Sequence, residues 1–153
     1  MKRVEQFTLI IFIILFSNFQ NLPAQQTKFG IGIILGEPTG ITSKYWINSN
    51  SAFVGGLSWS FKDNDALYMH LDYVNHDYTL IGVNRGKLAV YYGIGGKILL
   101  AKETNIGVRV PVGLNYIFQG SPIDLFLELV PSLNLIPSTT FDIGGGVGVR
   151  YYF

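Results

Sequence analysis

The feature that most constrains the fold is an alternation of apolar with polar or small residues, which recurs in eight segments of the chain. Successive side chains of a β-strand point to opposite faces of a sheet, so this two-residue period predicts strands rather than helices. We predict strands at about 28–36, 41–48, 52–61, 66–75, 87–100, 105–117, 123–134 and 140–153. Turn residues such as Glu37-Pro38-Thr39-Gly40 separate them. The sequence does not decide where the hairpin after the fourth strand turns, because Tyr78 to Val83 could extend that strand.

The two faces of these strands differ in character. In the last strand Phe141, Ile143 and Val147 lie on one side, whereas Asp142 and Arg150 lie on the other. A soluble antiparallel barrel would turn its apolar face inward and expose a densely charged face. The second face here carries mostly glycine, small residues and tyrosine, and only 14% of the chain is charged, against about 25% in average soluble proteins. With 18 glycines and 48% hydrophobic residues, the composition favours an apolar face exposed to lipid.

A barrel that spans lipid also agrees with the absence of a long apolar run from the sequence. No run reaches the roughly 18 apolar residues that a spanning helix needs, and closed barrels are the other structure that satisfies every backbone group in a bilayer. We therefore predict an all-β fold, an eight-stranded antiparallel up-and-down transmembrane β-barrel over 25–153. Aromatic residues near strand ends suit the membrane interfaces. They are Trp59, Phe61, Tyr116, Phe118, Tyr151 and Phe153.

Isolated charged residues lie in the middle of the polar faces. They predict a lumen charge network of Lys44, His70, Asp72, Lys97, Arg109, Asp124, Glu128, Asp142 and Arg150. Side chains fill the interior of a barrel this narrow, so these groups should meet as a closed ionic core that fixes strand register. The alternative is that Arg109 and Arg150, facing the acidic residues, line a narrow channel for small solutes.

The N-terminal segment has the layout of a secretory signal peptide over 1–24. Lys2 and Arg3 precede an apolar stretch from Phe7 to Phe16, and Ala24 offers a small residue before a polar segment. The alternative, a short membrane anchor, is disfavoured because the stretch is about half the length of a spanning helix. We expect export and a mature chain that begins near Gln25.

Charge and composition exclude several other functions. Removing Lys2, Arg3 and Glu5 from the 11 basic and 10 acidic residues leaves nine of each, so a neutral mature chain gives no argument for nucleic acid as a partner. Cysteine is absent, and the chain holds two Met and two His. We therefore expect no disulfide framework, no metal site and no cofactor.

A catalytic group is the weakest of the alternatives. His70 and Asp72 share one strand face and, with Ser58 or Ser60 on the neighbouring strand, could form a nucleophile, a base and an orienting carboxylate. Such residues in a polar lumen more often satisfy one another. We predict no enzymatic activity and keep a lipid-modifying membrane enzyme as the third possibility.

The C-terminal segment carries a resemblance to a known class of proteins. Val147, Val149, Tyr151 and the terminal Phe153 alternate with smaller or polar residues, a pattern that resembles the signal outer-membrane barrels present to the barrel-assembly machinery. The chain from residue 25 onwards is similar to small OmpX-like and OmpA-like barrels. The stretches 30–40 and 91–96 are similar to a group of small barrels from Bacteroidota. The resemblance implies a location in the bacterial outer membrane, with membrane lipid and the assembly machinery as partners, and we expect a monomer. One feature departs from the resemblance. If both termini lie in the periplasm, the outer loops of this chain are those near 37–40, 62–65, 101–104 and 135–140, and they are shorter than the outer loops usual in OmpX-like proteins.

Overall fold

The computed structural model describes residues 28–60 and 66–153. The predicted signal peptide and the start of the mature chain lie outside these residues. Within them the chain forms nine strands, β1 (Phe29–Glu37), β2 (Gly40–Trp46), β3 (Ser51–Ser60), β4 (Ala66–Asp77), β5 (Lys87–Leu100), β6 (Asn105–Arg109), β7 (Val112–Ile117), β8 (Ile123–Ile136) and β9 (Thr140–Tyr152).

The strands close into a ring. Strands that follow one another in the chain pair in antiparallel fashion, except that β6 and β7 do not pair with each other and instead both pair with β5 and β8. Strand β1 pairs with β9 from Gly30↔Tyr152 to Glu37↔Gly145. The β4 pairing with β5 completes the circle. The all-β barrel prediction is therefore confirmed, and a closed ring leaves no strand edge exposed.

Nine strands occupy eight positions in this ring, because β6 and β7 are one strand interrupted at Pro111. Both pair with β5 in a single register, from Leu99↔Asn105 to Lys87↔Ile117. Proline has no N–H to donate to a ladder, but its carbonyl still accepts a hydrogen bond from the Gly93 amide at 2.9 Å. The sixth predicted strand, 105–117, thus exists with a local break that its central proline explains.

The fourth hairpin, left open by the sequence, is settled by the structure. Strand β4 ends at Asp77, and residues 78–86 form an irregular connection with bends. This connection lies at the same end of the barrel as 47–50, 118–122 and both ends of the described chain, which we call the termini end. The opposite end, which we call the turn end, carries the short connections 38–39, 101–104 and 137–139.

The outer face of the ring is apolar. Among the described strands, the outward positions carry charged side chains only at Glu37 and Asp77, each the last residue of its strand. Between the strand ends, Leu71, Ile94 and Leu129 are all more than 60% exposed. No helix in the described part of the chain is long and apolar enough to span a membrane.

Glycines on the inner face make room for the large side chains of the lumen. A Cβ on Gly95 would collide with the Asp72 carboxylate and the Leu71 carbonyl, and one on Gly148 would collide with the Phe126 ring. Outward-facing Gly96 has open space, since the nearest atom that a Cβ there would meet is the Gly107 carbonyl oxygen at 4.0 Å. At Gly95 and Gly148 the inner face therefore has room for glycine and not for a larger residue.

Candidate functional site

The structure places most of the predicted charge network inside the barrel. Buried in the lumen are Lys44, Asp72, Lys97, Arg109, Asp124, Glu128 and Arg150. The side chain of His70 is 8% exposed and joins them. Asp142 differs, because its side chain is 62% exposed at the turn end, where its carboxylate lies 3.6 Å from Lys97. Alternation within each strand brought these residues to one side, and ring closure brought them together.

The first of two ionic groups is the Arg109 cluster, composed of Arg109, Asp72, Glu128, Tyr68 and His70. The guanidinium lies 3.1 Å from Asp72 and 3.4 Å from Glu128, and it donates a 2.7 Å hydrogen bond to the Tyr68 hydroxyl. His70 Nδ1 lies 3.0 Å from the other Asp72 oxygen. One arginine thus joins strands β4, β6 and β8 across the lumen.

The second group is the Lys44 cluster, nearer the termini end. It consists of Lys44, His76, Asn115, Asp124, Arg150 and Tyr152. The Lys44 ammonium is 2.8 Å from His76 Nε2 and 3.7 Å from Asp124, and donates to the Asn115 carbonyl oxygen at 2.9 Å. Asp124 also pairs with Arg150 at 3.4 Å and accepts a 2.6 Å hydrogen bond from the Tyr152 hydroxyl.

Tyr91 connects the two clusters. Its ring stacks on His76 with centroids 5.3 Å apart, and its hydroxyl donates a 2.8 Å hydrogen bond to Glu128. Phe126 packs beside this chain of contacts, with the Arg150 guanidinium 3.7 Å above its ring. The clusters therefore form one continuous network through the middle of the barrel.

The predicted network did not include five of the observed members, namely Tyr68, His76, Tyr91, Asn115 and Tyr152. The two-residue period could have found four of them. Tyr68 shares a strand face with Asp72, and Tyr91, Asn115 and Tyr152 share one with Lys97, Arg109 and Arg150. His76 was missed because the predicted fourth strand ended at residue 75, which left this side chain in a loop.

A cavity of about 320 Å³ opens at the turn end. Its floor is formed by Arg109, Glu128 and His70, and its rim includes Lys97 and Asp142. Lys97 donates a 2.8 Å hydrogen bond to Ser132. The lining thus mixes basic and acidic groups, most of which already have partners.

A second cavity of about 540 Å³ opens at the termini end, beneath the connection 78–86. Trp46, Tyr78 and Tyr152 line it, and its charged side chains are Lys28, Arg85 and Lys87. Burial, with a further contribution from the negative charge of Asp124, raises the pKa of Tyr78 to about 12. The two cavities share no lining residue, because the ionic network separates them.

The predicted arrangement for catalysis is only partly assembled. His70 meets Asp72, but in the part of the chain that the structure describes no hydrogen bond joins His70 to Ser58. Ser60 lies at the end of β3, and nothing is described of its side chain. The described residues also contain no group of three His, Cys, Asp or Glu side chains that could hold a metal ion.

Comparison with known proteins now identifies the family. Residues 21–151 match a family described as "Protein of unknown function (DUF3996)". The chain belongs to this family. No curated protein matches the sequence of this DUF3996 member.

A solved structure similar to this DUF3996 member is the crystal structure of the N-terminal β-barrel domain of Pseudomonas aeruginosa OprF. The similarity has a TM-score of 0.57 at 16% identity and covers 84% of this chain and 98% of the OprF domain. At this identity the likeness concerns the fold alone, and it confirms the expected all-β barrel. The resemblance to the Bacteroidota group stays a prediction.

Proposed function

We propose that the chain is an integral outer-membrane β-barrel with a structural or envelope-interaction role, a lumen closed by its ionic network, and no catalytic activity. The observation that carries this proposal is the outer face, whose described strand positions are uncharged except at two strand ends. Apolar patches on soluble monomers rarely exceed a few hundred Å². An apolar band that encircles the whole barrel is what a bilayer requires.

Aromatic residues support a membrane boundary at the termini end. Phe29, Tyr45, Phe53 and Tyr73 are paired in register across four adjacent strands, and all four are more than 40% exposed. Tyr and other aromatic rings collect at the membrane–water interface, where one side of the ring meets lipid and the other meets water. A row of this kind would set the depth of the barrel in the bilayer.

Contacts across the lumen favour a closed barrel over a channel. Strands β2 and β7 lie on opposite sides of the ring, and Lys44 and Asn115 join them directly through a 2.9 Å hydrogen bond. The Arg109 cluster adds a second bridge among β4, β6 and β8. A solute would have to break both sets of buried ionic contacts, which is costly in a low-dielectric interior.

The route to the membrane is part of the same proposal. The predicted signal peptide would direct export, and the barrel-assembly machinery would recognise the terminal strand through Val147, Val149, Tyr151 and Phe153. In the structure Val147, Val149 and Phe153 are exposed on the outside of the barrel, where such a receptor could reach them. Because the ring has no free edge, strand addition to a second copy is blocked, which supports a monomer.

Fractionation of a Gram-negative host that expresses the full chain tests this proposal. We expect the protein in the outer-membrane fraction, with an N-terminus near Gln25 by mass spectrometry and faster gel migration before heating than after it. A Phe153→Ala variant should accumulate less in that fraction. Recovery of the wild type in the soluble periplasmic fraction would contradict the membrane assignment.

Planar-bilayer recording separates the closed barrel from the channel. The purified protein should insert without conductance steps, because the Lys44 and Arg109 clusters cross the lumen. A double variant with Lys44→Ala and Arg109→Ala removes both bridges and should conduct if it folds. Discrete steps from the wild type would favour the channel and overturn the closed lumen.

A further inference from the structure

We propose that the cavity at the termini end is a binding site for an oxyanion, a phosphate group carried on a molecule with an apolar or ring-shaped part. The cavity is large enough for such a molecule, at about 540 Å³. Its charged lining residues are all basic, namely Lys28, Arg85 and Lys87. The turn-end cavity, by contrast, mixes Lys97 and Arg109 with Asp142 and Glu128.

The three basic groups have no acidic partner in the described part of the chain. None of them belongs to an ion pair within 4.0 Å. Two acidic side chains toward this end of the barrel are engaged elsewhere: Asp77 faces outward and accepts two hydrogen bonds from Thr79, and Asp124 is held by Lys44, Arg150 and Tyr152. Three uncompensated positive charges around one cavity favour a ligand with a negative charge.

The backbone positions of these residues are anchored. The Lys28 carbonyl accepts a 2.8 Å hydrogen bond from the Trp46 amide, and the Arg85 carbonyl accepts one of 3.1 Å from the Tyr116 hydroxyl. Lys87 is the first residue of β5 and is paired with Ile117, and its ammonium lies 6.0 Å from the centre of the Tyr78 ring. The basic groups therefore surround the cavity from three separate elements.

The walls define the rest of the ligand. Trp46 and Tyr78 present aromatic rings, and Ile117 and Phe118 add apolar surface. Neutral donors complete the rim, among them the amides of Asn48, Asn84 and Gln119. Arginine and lysine side chains bind phosphate through charge-assisted hydrogen bonds, while rings and aliphatic groups accept the apolar part. Both a soluble phosphate ester and a phospholipid headgroup have this chemistry.

Tryptophan fluorescence tests the site directly. The chain has two tryptophans, so a Trp59→Phe background leaves Trp46, in the cavity wall, as the only reporter. The mature chain is refolded in dodecyl maltoside and titrated with phenyl phosphate. We expect a saturable change in fluorescence that weakens with added salt, and little response to benzyl alcohol, which has the ring without the charge.

Matched variants assign the charge. Lys87→Gln should weaken phenyl phosphate binding, and Arg85→Gln with Lys87→Gln should weaken it by about tenfold or more, as expected for the loss of charged hydrogen bonds. Lys102→Gln, which removes the same charge from the connection 101–104 at the other end, should bind as the parent does. Heat-modified gel migration checks that each variant is folded.

The source of the phosphate is decided by a second titration with dihexanoyl phosphatidic acid below its micelle concentration. Tighter binding than that of phenyl phosphate assigns a lipid headgroup, whereas equal or weaker binding assigns a soluble ester. The proposal is overturned if phenyl phosphate causes no saturable change, if benzyl alcohol binds as well, or if folded Lys87→Gln and Lys102→Gln are affected equally.

Discussion

Val108 and Arg109 are neighbours in β6, but the first is 40% exposed outside the barrel and the second is 2% exposed in the lumen. Val108 contributes apolar character to a surface that no other part of the described chain covers. Arg109 has specific partners on two other strands. The outer face therefore requires only that its side chains be apolar, whereas the inner face requires particular side chains at particular positions. Substitutions at neighbouring residues can test this difference.

The largest effect is expected for Arg109→Met. It leaves the carboxylates of Asp72 and Glu128 buried without their shared cation, and breaking a buried ion pair in this way costs about 3–5 kcal/mol. Urea unfolding in phospholipid vesicles measures the loss. Lys97→Met should cost much less, because its partner Asp142 is 62% exposed and can be hydrated.

A triple variant sharpens the same test. Neutralising the acids as Asp72→Asn and Glu128→Gln in the Arg109→Met background should restore part of the lost stability, because the uncompensated charges are removed. If the triple variant is no more stable than Arg109→Met alone, the ionic account of the inner face is wrong.

The next effect tests the outer face with two valines of equal exposure. Val108 lies in the apolar band and Val83 in the connection 78–86, and each is 40% exposed. Arginine on the lipid face of a barrel costs about 2–4 kcal/mol near the bilayer midplane. We expect Val108→Arg to lose stability in vesicles on this scale and Val83→Arg to change little. Equal effects would mean that lipid does not cover β6.

A smaller effect compares two glycines in β5. Gly95→Ala places a methyl group against the Asp72 carboxylate and the Leu71 backbone, whereas Gly96→Ala points outward into open space. Overpacking of a filled interior costs about 1–3 kcal/mol. The free energy of unfolding should therefore fall for Gly95→Ala and stay near the parent value for Gly96→Ala. The reverse order would show that the faces of β5 are assigned incorrectly.

The sequence was sufficient for the features that follow from a local period. Alternation predicted the strands and the side on which Lys44 and Arg150 lie. The closed ring followed from the low charge of the chain and from the absence of a run long enough for a spanning helix. Alternation did not predict the break in the sixth strand, although Pro111 was its signal, because whether a proline ends a strand or only interrupts it depends on the partner strands.

Pairings across the lumen could not be predicted in this way. Which carboxylates meet Arg109 depends on the stagger of β6 against its neighbour β8 and against the more distant β4, and the two-residue period carries no information about stagger. Asp142 shows the consequence. It lies at an inward-facing position of the two-residue period, but it is near the start of β9, where its side chain is exposed at the turn end. The proposed phosphate site at the termini end was also beyond local patterns, because residue 28 comes close to residues 85 and 87 only after ring closure.

The smallest effect compares the neighbouring tyrosines Tyr91 and Tyr92. Tyr91 is 3% exposed and donates a 2.8 Å hydrogen bond to Glu128, whereas Tyr92 is 55% exposed on the outside. Tyr91→Phe keeps the ring that stacks on His76 and removes only the donor. Because Glu128 retains Arg109, the loss should be about 1 kcal/mol, measured by urea unfolding in vesicles. Tyr92→Phe should change stability by less. A loss at Tyr92 as large as that at Tyr91 would mean that hydroxyl groups on the outer face also have specific partners, and the contrast between composition outside and identity inside would then fail.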